Sequence, residues 1–286
     1  MNLVLELRPP ESRFYGTWQE RLETVARLRR PDEVHALCEQ AHALGVRTIL
    51  AVLDDTIREA LIAFQRWREV EVWAVVPNMF AFIRDLTDLG MVGAARARFL
   101  RLTPAAMTRT TLGALGNLGS IRRRDFVTGS LLVADMEMAA LRGLRVTRLL
   151  LHPQLTEIAL AGGLPTLFTE LATRAARQGL EAGIVTHNPV RAAAVLGSEL
   201  ARFPVIPCNP RGYKMFPDRE ACEGLFRREP GRFFADEVTA GGSVAVETAL
   251  AHVQALGLAG AVLDVRAVET AYREGELGAG TATRAV

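Results

Sequence analysis

Short apolar runs recur along this 286-residue chain, and each is followed by a polar turn and then by apolar residues at helical spacing. Their apolar character is nearly continuous, as in parallel strands that helices cover on both faces. Alternation of strand and helix predicts an α/β protein with a parallel sheet, and eight units in about 240 residues match a (β/α)8 TIM barrel. The eight predicted strands are Thr48–Leu53, Val72–Val76, Arg98–Leu102, Arg148–Leu151, Gly183–Thr186, Phe203–Pro207, Arg232–Ala235 and Ala261–Val265.

Two segments are open to more than one interpretation. Leu3–Leu7 is either a short N-terminal extension or the true first barrel strand. A long loop follows the third predicted strand and contains a helix at about Gly129–Leu141. Because long loops in compact domains are often functional, Leu112–Phe126 is a candidate lid, with an ordinary surface loop as the alternative. Residues 1–274 are predicted to form one barrel domain, and the small, polar residues 275–286 a flexible tail.

Charge and cysteine usage exclude several classes of protein. The net charge of +2 provides no field to attract nucleic acid or membrane. The N-terminus resembles no signal peptide, and no apolar run approaches the roughly 18–20 residues of a spanning helix. The three cysteines lack a C-x-x-C spacing, which suits the reducing cytoplasm. We therefore expect a cytoplasmic protein that acts on a small molecule without nucleic-acid or membrane partners, with a homo-oligomer and a monomer both left open.

The ends of the predicted strands carry the side chains most suited to proton transfer. In a barrel of this kind the C-terminal ends of the strands form one rim, where catalytic residues collect. His152 and His187 end neighbouring strands, and their side chains could meet across the mouth. The other candidates on this rim are the acids Asp236 and Glu237 and the amides Asn188 and Asn209. The two histidines with Glu237 also have the composition of a 2-His-1-carboxylate metal site.

Lys214 is the only lysine in a chain with 33 arginines. It lies in the segment Cys208–Met215, just after a predicted strand, with Arg211 nearby. Lysine offers what arginine does not, namely an amine that can lose its proton on burial and attack a carbonyl. Survival of one lysine by chance is the alternative. A lysine on a loop is also suited to clamp an anion rather than to form a covalent bond.

A strand that leads into Gly241-Gly242-Ser243 and then into a helix is a candidate anion site. Glycine N–H groups and a helix N-terminus can hold a phosphate, and Ser243 could bind it or simply cap the helix. This turn and the following Gly257–Leu263 resemble the phosphate-binding loops of aldolase-type TIM barrels. The resemblance implies that these loops hold an anionic substrate group. Where that superfamily usually has a glycine after the eighth strand, this chain has Arg266, whose guanidinium could take over the role.

Three hypotheses about function follow. The first is a lyase, similar to aldolases, that acts on a small anionic carbonyl compound through Lys214, the rim histidines and an acid. The second is a metal-dependent hydrolase, isomerase or lyase that uses His152, His187 and Glu237. The third is a barrel that binds a small molecule without turnover. No G-x-G-x-x-G follows a predicted strand, so the sequence predicts no dinucleotide cofactor, and a divalent metal remains the alternative.

Overall fold

A computed structural model describes residues 1–8, 18–100, 125–139, 141–200 and 204–274, with isolated positions between 102 and 119. The strands in this part of the chain are β1 Asn2–Leu7, β2 Thr48–Ala51, β3 Glu71–Val76, β4 Val146–Leu151, β5 Glu181–Ile184, β6 Val205–Pro207, β7 Phe234–Asp236 and β8 Gly260–Leu263. The helices are α1 Trp18–Leu28, α2 Pro31–Ala43, α3 Asp55–Gln65, α4 Met79–Phe99, α5 Phe126–Ala139, α6 Pro153–Ala161, α7 Pro165–Ala176, α8 Pro189–Leu200, α9 Arg219–Arg228, α10 Val246–Ala255 and α11 Val265–Glu274.

The eight strands of the described residues form one parallel sheet in the order β5-β4-β3-β2-β1-β8-β7-β6. Its two edges meet at a bridge between Val185 and Val205, where the Thr186 N–H donates to the Val205 carbonyl at 3.1 Å. The sheet is therefore a nearly closed barrel, and the predicted (β/α)8 fold is confirmed. No helix in the described ranges is both long enough and apolar enough to cross a membrane.

The structure decides the assignment of two short apolar runs, Leu3–Leu7 and Arg98–Leu102. The N-terminal run is not an extension, because β1 pairs with both β2 and β8 inside the barrel. The prediction of a strand at Arg98–Leu102 is wrong, since Arg98 and Phe99 form the last turn of α4. Arg98 donates to the Glu137 carboxylate of α5 at 2.6 Å, which holds the helix end against its neighbour.

The long loop predicted after Arg98–Leu102 contains α5 where it is described, and α5 corresponds to the helix predicted at about Gly129–Leu141. Because Arg98–Leu102 is not a strand, this loop is part of the connection between β3 and β4, which also contains α4. The predicted lid, Leu112–Phe126, lies mostly outside the described residues, apart from scattered positions and Phe126, which begins α5. The predicted tail, residues 275–286, also lies outside them.

The core has an interior layer and an outer layer. Inward-facing apolar side chains from the strands, among them Val4, Leu50 and Val262, fill the barrel. The other face of each strand packs against the surrounding helices. Near the N-terminal ends of the strands, the Arg148 guanidinium lies 4.3 Å from the centre of the Trp73 ring and close to Phe234. Aromatic rings and a stacked guanidinium thus fill this end, which leaves the opposite end for a binding site.

The packing of β8 between β1 and β7 depends on close approach at Gly260, the first residue of β8. A Cβ atom there would lie 2.4 Å from the Asn2 carbonyl oxygen and 2.9 Å from the Phe234 ring. Gly260→Ala should therefore lower the free energy of unfolding by about 1–3 kcal/mol, since neither neighbour can move without disturbing the sheet. The measurement is urea-induced unfolding of both proteins.

Gly129→Ala is the matched control for this substitution. Gly129 lies inside α5, and a Cβ atom there would meet nothing within 4 Å. The control should be neutral or stabilising by about 0.5–1 kcal/mol, because alanine favours helix more than glycine does. Equal unfolding midpoints for Gly260→Ala and the unsubstituted protein would contradict this account of the packing at Gly260.

Candidate functional site

A buried charge network lies at the C-terminal mouth of the barrel. The Arg8 Nη2 atom donates to the Asp236 carboxylate at 2.8 Å, and Arg8 Nε donates to the Glu6 carboxylate. Glu6, Arg8 and Asp236 are 2%, 7% and 4% exposed. Since arginine keeps its charge in proteins, these two carboxylates compensate a cation that is held out of water. The network also links β1 to β7, which lie on either side of β8.

His152 ends β4 at the same mouth and is held in place on its Nδ1 side. Its Nδ1 accepts from the Gln154 N–H at 3.3 Å, and its ring packs edge-on against Phe80 with centroids 5.6 Å apart. The Nε2 atom is buried and has no hydrogen-bond partner among the described residues. Burial, together with the charge of Arg8 and the neighbouring His187, lowers the pKa of His152 to about 3. This imidazole is therefore neutral at neutral pH.

His187 ends β5 and is only partly buried, so it is more accessible than His152. Its backbone N–H donates to the Glu157 carboxylate at 2.7 Å, and its backbone carbonyl accepts from the Phe216 N–H at 3.0 Å. Burial and the nearby Lys214 ammonium lower the pKa of His187, and Asp236 and Glu157 partly oppose this. His187 thus lies within electrostatic reach of both Lys214 and the Arg8–Asp236 pair.

Lys214 and Glu237 form an ion pair across the mouth. The Lys214 Nζ atom lies 2.7 Å from a carboxylate oxygen of Glu237, and the two side chains are 25% and 6% exposed. Both residues have left-handed backbone conformations, with φ of 58° and 52°. Such conformations are strained for residues with side chains and concentrate at functional sites. The pair places one cation and one anion at the entrance, next to His187.

Asn209 holds the two loops that carry this ion pair. It is fully buried, and its side-chain amide donates to the carbonyls of Tyr213 at 3.0 Å and Glu237 at 3.2 Å. Its Oδ1 accepts from the Tyr213 N–H at 2.8 Å. With these groups occupied, Asn209 acts as a positioning residue for Lys214 and Glu237 rather than as a contact to substrate.

The side chains of two other predicted site residues, Asn188 and Arg211, make no described hydrogen bond to another predicted site residue. Asn188 lies next to His187, but its Oδ1 accepts from the Arg191 N–H at 3.0 Å and so caps the start of α8. Arg211 is on the loop of Lys214 but is exposed to solvent. Neither side chain is directed by a described contact into the mouth.

The predicted anion site is a cavity of about 240 Å³ beside Glu237. Gly241, Gly242, Ser243 and Arg266 all line it, and the Arg266 guanidinium approaches the turn at Gly242. Ser243 does not cap the helix, because its hydroxyl donates to the Ala240 carbonyl at 2.8 Å and α10 begins only at Val246. The Gly242 N–H donates to the Thr239 carbonyl at 3.0 Å, so this N–H is already used. The charged residues that line the cavity are Arg266 and the acids Glu237 and Asp264.

The predicted metal triad is not gathered into one group. Across the described residues, no three side chains of His, Cys, Asp or Glu are arranged to hold a metal ion. The Glu237 carboxylate binds Lys214, and His152 accepts a backbone hydrogen bond through Nδ1. The metal-dependent hypothesis therefore stays a prediction without support from the geometry.

Sequence reasoning missed three residues of the mouth. Glu6 and Arg8 escaped because the first strand was left as an optional element, although their alternate spacing after Val4 matches the inward face of a strand. Glu157 was missed because it lies on α6, where a glutamate has no distinguishing signal in sequence. Its carboxylate accepts from both the Thr186 hydroxyl and the His187 backbone N–H at 2.7 Å, and so holds the backbone at His187 in place.

A comparison of the sequence with models of known protein families found no match, and a search of curated proteins found no significant relative.

The depressed pKa of His152 predicts a specific loss of stability in acid. Below pH of about 6.5 the unfolded chain binds a proton at this imidazole, while the folded protein does not until about pH 3. As the pH is lowered from about 6.5 to about 3, the free energy of unfolding should therefore fall by up to about 1.4 kcal/mol per pH unit. His152→Gln should remove this part of the slope, which urea unfolding at pH 7 and pH 5 measures. An NMR titration in which His152 protonates near pH 6.5 would contradict the assignment.

The role of Asn209 can be tested through the single lysine. Asn209→Ala leaves buried backbone groups of Tyr213 and Glu237 unsatisfied, so it should cost about 2–4 kcal/mol of stability. In protein with ¹⁵N-labelled lysine, the one side-chain signal of Lys214 should shift and broaden as the ion pair loosens. Asn188→Ala is the matched control, since it removes only a helix cap worth about 1 kcal/mol and should leave this signal unchanged. An unchanged Lys214 signal in Asn209→Ala would refute the positioning role.

Proposed function

We propose that this protein is a lyase, similar in its chemistry to aldolases, that acts on a small anionic carbonyl compound without forming a covalent intermediate. The observation that carries the proposal is that His187, whose pKa is lowered by burial and by Lys214, lies within electrostatic range of the Lys214–Glu237 ion pair at one mouth. A base and a cation at one site are what cleavage next to a carbonyl requires. The fold is compatible with an enzyme but does not by itself choose the reaction.

In the proposed reaction a β-hydroxy carbonyl compound is cleaved between its α and β carbons. His187 accepts the proton of the β-hydroxyl group, and the oxygen electrons form the new carbonyl. The α–β bond breaks, and its electron pair moves into an enolate whose oxygen is stabilised by Lys214. The proton on His187 then returns to the α carbon, so that atoms and charges balance and no oxidant is needed.

His187 is preferred over His152 as the base. A base works best when its pKa lies near the working pH, and an imidazole with a pKa of about 3 binds protons too weakly. His152 is also almost completely buried, whereas His187 retains some access to the mouth. His152 then serves as a neutral wall of the site.

Lys214 is proposed as a cation that binds the substrate oxygen and not as a Schiff-base nucleophile. A Schiff-base nucleophile attacks through a free amine lone pair, whereas the Lys214 Nζ atom donates to the Glu237 carboxylate at 2.7 Å. Substrate would compete with Glu237 for the ammonium. Its anionic end would lie toward Arg266 in the 240 Å³ cavity, which Glu237 also lines.

Hydrogen–deuterium exchange tests the proposed proton transfer. The protein is incubated in D₂O with a pool of small 2-oxoacids, 4-hydroxy-2-oxoacids and their phosphate esters, and deuterium at the α carbon is followed by NMR. We expect exchange or cleavage of at least one compound, and His187→Gln should slow it by about 10²-fold or more. His35→Gln is the control, since His35 packs on Phe64 of α3 away from the mouth.

Borohydride treatment with the same pool separates the two roles of Lys214. We expect no mass adduct, and we expect Lys214→Arg to retain more activity than Lys214→Met because arginine keeps the positive charge. An adduct at Lys214 would replace the non-covalent mechanism by a Schiff base. Absence of exchange, cleavage and binding across the pool would overturn the proposed class of substrate.

A further inference from the structure

A second and larger cavity lies on the other side of the mouth from Arg266. Its volume is about 470 Å³, within the range of sites that bind ligands of the size of a cofactor or drug. It lies between the C-terminal ends of β2 and β3 and the helices α1, α4 and α5. Neither the proposed proton transfer nor the predicted anion site uses it.

The floor of this cavity is apolar, and its polar groups are already satisfied by the protein. Val75, Phe80 and Met136 are among the apolar residues that line it. Asn78 uses its Oδ1, its side-chain amide and its backbone N–H in hydrogen bonds to Ala81, Leu53 and Glu137. The floor therefore requires no hydrogen bonds from a ligand and suits an apolar body.

The rim of the cavity is positively charged. Its lining includes five arginines, Arg29, Arg58, Arg84, Arg98 and Arg142, against three acids, Asp54, Asp55 and Glu137. Arg98 and Glu137 neutralise each other at 2.6 Å. Arg84 is 62% exposed, and its distance of 3.6 Å to Asp85 leaves it able to reach toward a ligand. The excess of positive charge at the opening complements an anion.

We propose that this cavity binds an organic anion with a flat aromatic body, whose rings lie between Phe80 and Met136 and whose acidic group lies among the rim arginines. Aromatic rings pack favourably on phenylalanine and on the methionine thioether. The site is distinct from that of Lys214 but adjacent to it, because Phe80 also packs on His152. A ligand here would therefore lie next to the proposed reaction centre.

The test uses 8-anilinonaphthalene-1-sulfonate, which has an aromatic body and one negative charge, and its uncharged counterpart N-phenyl-1-naphthylamine. Binding is followed by fluorescence and calorimetry on the full-length folded protein. We expect saturable binding of one sulfonate per chain. This readout does not depend on catalysis, so it stands or fails separately from the lyase proposal.

Filling the cavity should weaken this binding. Ala81 lines the cavity, and Ala81→Trp should weaken the affinity for both probes by about tenfold or more. Ala43→Trp places the same side chain on an exposed position of α2 and should have no effect. If Ala81→Trp unfolds, Met136→Trp takes its place. Unchanged affinity in a folded filling variant, or no saturable binding to the unsubstituted protein, would overturn the proposal.

The charge of the rim is tested with Arg84→Gln. The affinity for the sulfonate should fall about threefold, as for one exposed charge pair, and that for the uncharged probe should not change. Arg227→Gln is the control, because Arg227 is similarly exposed at 61% and pairs with Glu223 at 2.8 Å but lies on α9, which contributes no residue to the cavity lining. Equal weakening of both probes would contradict a role for the arginines, and so would equal effects of the two variants.

Discussion

The buried pairing of Arg8 with Glu6 and Asp236 is the interaction on which the mouth of this barrel depends. It brings a permanent positive charge to the centre of a largely apolar interior and compensates it with carboxylates from β1 and β7. The same charge lowers the pKa of both His152 and His187. One arginine thus helps to keep two imidazoles neutral, which is the state that a general base requires.

The site combines residues that are fixed by hydrogen bonds with residues in strained backbone conformations. Glu157 and Asn209, each with several hydrogen bonds, fix the backbone around His187 and Lys214. Lys214 and Glu237, by contrast, both adopt left-handed conformations while they bind each other. In the proposed reaction a substrate anion replaces Glu237 as the partner of Lys214. The surrounding hydrogen bonds would hold the mouth in place during this exchange.

The two cavities divide the mouth into regions with different chemistry. The smaller one, beside Glu237, contains a small-residue turn and Arg266, which suits a compact anionic group. The larger one, beyond Phe80, has an apolar floor and an arginine-rich rim, which suits an aromatic anion. His152 and His187 lie between these regions. The larger cavity therefore has more arginines than acids in its lining, whereas the smaller one has Arg266 beside two acids, Glu237 and Asp264.

The sequence by itself determined the barrel and most of its rim, because parallel strands must be apolar throughout and their polar ends must share one edge. It could not separate β1 from an extension, nor the end of α4 from a strand, since short apolar runs have no distinctive period. Only the tertiary structure decided that Arg8 meets Asp236, 228 residues away, and that Glu157 reaches His187. It also turned Asn209 from a catalytic candidate into a positioning residue. Hydrogen-bond partners that come from distant segments leave no mark in local sequence, because only folding brings them together.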